Sequence, residues 1–201
     1  EECLGEIKLN VPGEHNVLNS LAAVVLGLEM GLSFNDIQKG IYTYKGVRRR
    51  FDIKSTFNDI MVVDDYAHHP TEVKATLESA KAGWKRRIIA VFQPHLYSRT
   101  REFFREFSSS LELADIVFIT DIYPAREKSI PGVTSKLIYD ILIQKMKGHC
   151  FLVPDLDDLE SMLDEVIEPG DMLITMGAGN IWRYCDSYSK HLNSILEGVE
   201  G

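Results

Sequence analysis

Apolar and polar positions along the chain change their period near residue 51. Between Asn16 and Met30, Leu18, Leu21, Ala22, Val25 and Leu28 recur at helical spacing until Gly31 stops the run. Ser33-Phe34-Asn35-Asp36 has the composition of a helix start, and the short helix it opens carries Ile37 and Ile41 towards Gly46. Ahead of both, Gly5 to Leu9 alternates like a strand before Pro12-Gly13 breaks it. From residue 51 onward, short apolar runs alternate with helical stripes. Strands are predicted at Phe51–Thr56, Ile60–Asp64, Arg87–Phe92, Ile116–Asp121, Cys150–Val153 and Met172–Thr175. Helical stripes lie between them: Val73, Leu77, Ala80 and Trp84; Phe103, Phe107 and Leu111; Leu137, Ile141 and Leu142; Leu159, Met162, Leu163 and Val166. Ile181, Tyr184, Tyr188, Leu192 and Ile195 form the last stripe. Strands alternating with helices of this length predict βαβ units, hence an α/β fold with a mostly parallel sheet covered on both faces. The first 46 residues are too few for a core of their own and read as the tail of a preceding domain.

The predicted strands end in chemistry. Asp64-Asp65-Tyr66, Gln93-Pro94-His95, Asp121-Ile122-Tyr123, Asp155 and Gly177-Ala178-Gly179-Asn180 follow successive apolar runs. Parallel strands put such tips on one edge of the sheet, where open α/β folds bind ligands. Asp64 and Asp65 alternate along their strand, so only one faces a given ligand; an exposed one suits a ribose, and a capping or turn role is an equal reading. His68-His69-Pro70 lacks the i, i+4 spacing of a helical zinc pair and has no cysteine or third ligand nearby, so no metal site is assigned. One of the two histidines is expected to cap the next helix and the other to face substrate. Ser98 or Thr100 can cap the helix opened after Gln93-Pro94-His95. Arg99 would then sit in its electropositive first turn, an unfavourable place for a cation unless it holds a carboxylate or phosphate. Gly177-Ala178-Gly179 reads as a tight strand-to-helix turn rather than a phosphate loop. Asn16 reads as a helix cap.

A net charge of −8 argues against a nucleic-acid partner. The basic Lys45 to Arg50 stretch runs against that background and suits a small anionic ligand. No apolar run approaches the roughly 18 residues that span a bilayer, and no leader pattern is present, so a cytoplasmic protein without membrane contact is expected. Three widely spaced cysteines, Cys3, Cys150 and Cys185, read as reduced thiols.

Seven ordered blocks resemble the Mur ligase family, which builds the peptide of bacterial cell-wall precursors. They are Gly13-Glu-His-Asn-Val-Leu-Asn19, Arg49-Arg-Phe-Asp52, Asp64-Asp-Tyr-Ala-His-His-Pro-Thr-Glu72, Phe92-Gln-Pro-His95, Ser98-Arg-Thr-Arg101, Tyr123-Pro-Ala125 with Ile130-Pro-Gly132, and Gly177-Ala-Gly-Asn180. The Asp-Asp-Tyr-Ala-His-His-Pro and Phe-Gln-Pro-His blocks favour the alanine-adding member over its murein-peptide recycling relative. The resemblance implies a helical remnant of a central ATPase domain at 1–46 and a C-terminal Rossmann-like domain at 47–201. It implies an ATP- and Mg-dependent ligation of L-alanine to the lactyl carboxylate of UDP-N-acetylmuramate through an acyl phosphate. No Gly-x-x-Gly-Lys-Thr/Ser segment occurs in the chain, so the piece alone is expected to be inactive. By position, Asn16, Asn19, Arg50 and Asp65 would contact the nucleotide, Asp65 at the ribose. Tyr66, His68, His95 and Arg99 would hold the amino acid and the reacting end of the sugar nucleotide, with His68, His95 and Arg99 catalytic. The position after His95, often arginine in relatives, is Leu96 here, which shifts carboxylate binding onto Arg99. The other readings are a non-catalytic nucleotide or amino-acid binding module and a metal-dependent hydrolase built on His68, His69, His95 and Asp65.

Overall fold

The structure is a computed structural model that describes residues 3–197; the outermost residues of the two expected segments, 1–2 and 198–201, lie outside it. Two helices open the chain, α1 (Glu14–Glu29) and α2 (Phe34–Thr43). A six-stranded sheet follows: β1 (Asp52–Phe57), β2 (Ile60–Asp65), β3 (Arg87–Phe92), β4 (Ile116–Thr120), β5 (Cys150–Val153) and β6 (Asp171–Met176). Their spatial order is β1-β2-β6-β3-β4-β5, with only the β1–β2 pair antiparallel. The β1–β2 connection is the two-residue turn Asn58-Asp59, both at positive φ, and such a turn can only return the chain antiparallel.

Helices α3 (Pro70–Gly83), α4 (Tyr97–Leu111) and α5 (Lys136–Lys145) cover one face. Val63, Ala90, Phe92, Ile119 and Ile174 meet Val73, Leu77, Phe107 and Leu111 there, with the Phe92 and Phe107 rings 4.9 Å apart. The short α6 (Leu159–Asp164) and the long α7 (Ile181–Glu197) cover the other face, where Val62, Val91, Phe118 and Leu173 pack on Leu163, Ile181, Cys185 and Tyr188. A sheet covered on both faces explains why its strands read as unbroken apolar runs rather than alternating ones. The α/β, Rossmann-like architecture expected from the sequence is the one present.

Two local expectations fail. Gly5 to Leu9 forms no strand, because no neighbouring strand offers a ladder; Gln38 donates to the Glu6 carbonyl at 2.6 Å instead, and Phe34 packs on Gly5. In α5 the fully buried positions are Ile138 and Leu142, not Leu137 and Ile141, so the stripe is rotated by about one residue. The first two helices pack on each other through Ile37 and Gly27. The outer face of α1 is bare: Leu18 is 63%, Val25 61% and Met30 72% exposed.

The strand order places a topological switch beside β6. The chain leaves β2, passes over α3 to β3, and returns to fill the gap between them only with β6. The tips of β2, β6 and β3 therefore lie side by side, and open α/β sheets bind ligands at such a crevice.

Candidate active site at the strand tips

The β2 tip is held by a junction segment wound in the left-handed region, with Gly46, Arg49 and Phe51 at φ of 93, 60 and 47°. Arg49 is its clasp. Its Nε reaches the buried Asp64 carboxylate at 3.2 Å and its Nη2 donates to the Gly177 carbonyl at 2.7 Å. The Arg49 guanidinium lies 4.7 Å from the Tyr66 ring centre, and its carbonyl accepts the Tyr66 N–H at 2.7 Å. Thr175 supplies Asp64 with a second partner at 3.1 Å. Burial still pushes the Asp64 carboxyl above its ordinary range, against the pull of Arg49.

Asp65 departs from the exposed strand-tip carboxylate expected for a ribose. It is buried, with its oxygens accepting the N–H groups of Phe51 and Ala67, both at 2.8 Å. Burial raises its carboxyl in spite of those two donors and Arg50. The turn-forming alternative is therefore the one realised in its bonding. Asp65 nevertheless lines a cleft of about 470 Å3 together with Asn16, Asn19, Arg50, Tyr44, Thr71 and Glu72. That cleft brings together the four residues assigned to the nucleotide. Asn16 does not cap α1: Gly13 occupies the cap position, and Asn16 donates from the first turn to the Pro12 carbonyl at 2.6 Å.

His69 takes the cap position of α3, with Pro70 opening the helix. The Glu72 carboxylate accepts the N–H groups of His68 and His69 at 3.0 and 3.2 Å and lies 3.6 Å from Arg50. His68 points Nδ1 at the Tyr66 carbonyl, 2.9 Å away, and at Glu72. Two acceptors on Nδ1 put the hydrogen there and leave Nε2 for a ligand. Tyr66, His68, His95 and Tyr123 then form a row of rings, with centres 5.1, 5.9 and 5.8 Å apart.

At the β3 tip, His95 stacks on Tyr123 and its Nδ1 is buried without a hydrogen-bond partner. In the first turn of α4, Nη1 of Arg99 is buried and equally unpartnered. Desolvation, with the charges of Arg99 and His68, pushes the His95 imidazole below its ordinary 6.5. Buried polar atoms are rarely left unbonded, and two on one ligand edge mark a place for a polar guest that offers an acceptor to the guanidinium. Neither Ser98 nor Thr100 caps α4 with its side chain. Leu96 holds the cap position at φ 71°, Thr100 donates to the Leu96 carbonyl, and the Ser98 N–H donates to Glu127 at 3.0 Å.

Gly177-Ala178-Gly179 is a close-approach turn, as expected: a Cβ on either glycine would run into Gln93, and one on Gly179 also into Tyr123. Among the described residues, no three His, Cys, Asp or Glu side chains are arranged to hold a metal ion. His69 stands apart against Thr71 and Phe103, and Asp65 is turned to the backbone. Cys150 and Cys185 are buried, and burial pushes both thiols up to about 12, so they are inert.

Fold and site together define a Rossmann-like domain with a polar ligand edge, a cleft beside it and an unpartnered imidazole and guanidinium. Residues 49–179 match the family described as "Mur ligase, glutamate ligase domain". The chain belongs to the Mur ligase family. It is 45% identical over 193 residues to the UDP-N-acetylmuramate–L-alanine ligase of Geotalea uraniireducens, covering 96% of this chain and 42% of that protein. The same-named protein of Syntrophus aciditrophicus is 46% identical over 199 residues, covering 99% and 41%. A crystal structure of the UDP-N-acetylmuramate–alanine ligase of Thermotoga maritima superposes with a TM-score of 0.80 at 30% identity, over 94% of this chain and 40% of that one. A murein peptide ligase from Psychrobacter arcticus shares the fold, with a TM-score of 0.60 at 24% identity. The chain thus spans about two fifths of the length of the relatives it matches.

Proposed function

We propose that this chain is the amino-acid-receiving part of an ATP-dependent ligase that joins L-alanine to the lactyl carboxylate of UDP-N-acetylmuramate in peptidoglycan precursor synthesis. Residues 1–46 belong, on this reading, to the central ATP-binding domain and residues 47–201 to the C-terminal domain. The bare apolar face of α1 supports that division. Among the described residues no helix is long and apolar enough to cross a membrane; a cytoplasmic parent is part of the proposal.

The observation that carries the proposal is the pair of unpartnered buried nitrogens, Nδ1 of His95 and Nη1 of Arg99. An amino acid offers both of them what they lack. Its carboxylate accepts from the guanidinium of Arg99, and its ammonium donates to a neutral imidazole. Because His95 is held below 6.5, it is neutral near pH 7 and can take the ammonium proton, freeing the amine to attack an acyl phosphate. His68 Nε2 and the Tyr66 hydroxyl flank the same edge and suit the reacting end of the sugar nucleotide.

ATP fits this chain in half. The cleft offers Asn16 and Asn19 to a base, and the half-exposed Arg50 to a phosphate. The sequence holds no phosphate loop, and the described residues hold no donor set for Mg, so the activation of the lactyl carboxylate is assigned to no residue here. What this chain supplies is placement of the amine and its deprotonation.

Titration calorimetry of the 201-residue chain with L-alanine and with ADP tests this reading. Binding of both, without ATP hydrolysis when UDP-N-acetylmuramate and L-alanine are added, is expected. Hydrolysis of ATP by the chain alone, or L-alanine binding undiminished by Arg99→Met, would overturn it.

A further inference from the structure

We propose that Glu127 is a positioning residue that keeps Arg99 open for a ligand carboxylate and His95 in place beside it; this rests on the amino-acid reading above. The need for it lies in α4. The first N–H groups of a helix concentrate positive charge and require acceptors. The cap position of α4 holds an apolar Leu96 that offers no side-chain acceptor, and Arg99 adds a cation to that same turn. Glu127, 29 residues along the chain from Ser98, supplies what the helix lacks: its Oε2 accepts the Ser98 N–H at 3.0 Å, and its Oε1 accepts the Ser98 hydroxyl hydrogen. Those bonds hold its carboxyl below the ordinary 4.5.

The segment that delivers Glu127 also delivers the stacking partner of His95. Tyr123 lies against that imidazole at 14° between planes, donates its N–H to Pro94 at 2.8 Å and accepts the Leu96 N–H at 3.0 Å. A turn closed by the Glu127 N–H on the Pro124 carbonyl at 2.9 Å, with Ala125 at φ 50°, then swings the carboxylate back to α4. Residues 123–127 thus grip residues 94–98 through rings, backbone and one charge.

The arrangement neutralises the turn without occupying its cation. Both Glu127 oxygens are bonded to Ser98, and Nη1 of Arg99 stays unbonded. A carboxylate placed on the guanidinium itself would block the ligand; one placed on the helix N–H groups stabilises the same turn and leaves the guanidinium open. Glu127 also acts on His95 through space, raising its proton affinity against desolvation and Arg99.

The test uses the 201-residue chain, NMR titration of the His95 ring and calorimetry with L-alanine. Glu127→Gln should move the His95 midpoint downward and weaken L-alanine binding roughly tenfold, the size of one hydrogen bond to a charged group. Glu127→Asp, which keeps the charge, should restore the midpoint and recover part of the affinity. A Glu127→Gln protein that melts earlier yet keeps the wild-type His95 midpoint and affinity would make Glu127 a helix cap and nothing more, overturning the proposal. Should Glu127→Gln not fold, Ser98→Ala decides by removing one arm of the latch: weaker L-alanine binding supports the proposal, unchanged binding refutes it. If the wild-type chain does not bind L-alanine at all, the amino-acid reading fails, and the His95 midpoint alone still decides whether Glu127 tunes that ring.

Discussion

Gly179→Ala should be the most damaging single methyl in the site, and its cost can be worked from the contacts around it. A Cβ there would lie 2.3 Å from Oε1 of Gln93 and 2.5 and 2.8 Å from Cγ and Cβ of Tyr123. Neither neighbour can give way freely. Gln93 is 2% exposed; its Oε1 accepts the Ile181 N–H at 3.2 Å and its Nε2 donates to Asn180 at 2.8 Å, pinning the start of α7. Tyr123 is pinned by its backbone bonds to Pro94 and Leu96. Overpacking of a tight site costs about 1–3 kcal/mol, and losing the Gln93–Ile181 bond adds about 1 kcal/mol. The sum is about 3 kcal/mol, measured as the shift in urea midpoint at unchanged slope. Gly83→Ala is the control: nothing lies within 4 Å of the added methyl at the exposed end of α3, and it should stabilise by about 0.5–1 kcal/mol. A loss below about 1 kcal/mol for Gly179→Ala would refute the claim that Gln93 and Tyr123 are rigidly held.

Arg49→Met should cost about 3 kcal/mol in denaturant melts, because it leaves the buried Asp64 with Thr175 alone. Arg49→Lys should recover little, since one ammonium cannot reach both Asp64 and the Gly177 carbonyl; full recovery would show that the clasp is a single ion pair. Burial opposes the charge on Glu72, but the N–H groups and charge of His68, the His69 N–H and Arg50 outweigh it and hold the carboxyl below 4.5. A carboxyl depressed in the folded state contributes stability above its unfolded value and loses it as pH falls through the folded one. Glu72→Gln should therefore cost about 1 kcal/mol at neutral pH and nothing in strong acid, a difference readable in paired melts. L-alanine affinity should hold down to the ordinary imidazole value of 6.5 and fall only in more acid solution, where His95, held below that value, takes up a proton; an affinity that rises in acid would count against the imidazole as acceptor.

The fold was legible because both faces of the sheet are covered. β3 and β5 lie where apolar run and polar tip place them, at Arg87–Phe92 and Cys150–Val153, since a doubly buried strand writes itself as a continuous hydrophobic word. The site was legible in part. His68, His95 and Arg99 stand on one edge because strand tips do, and Asn16, Asn19, Arg50 and Asp65 share one cleft. What escaped were partners distant in sequence. Asp65 reads as an available carboxylate until Phe51, 14 residues before it, is folded onto it. Arg49 is one of three consecutive arginines, and only the approach of Gly177 from the far end of the chain singles it out. Glu127 carries no local signal at all. Its trace in the sequence is indirect: a cation, Arg99, in the first turn of a helix whose own cap is a leucine.

The position of β6 has a consequence for how this molecule is made. That strand fills the slot between β2 and β3, and it arrives after five of the six strands have left the ribosome. Until Asp171–Met176 is synthesised, β2 and β3 have no common neighbour, and two half-sheets wait with unpaired edges. A nascent chain stalled before residue 171 should be prone to aggregation and bind chaperones. Completion of the last strand joins the halves and, in the same event, sets His68 beside His95.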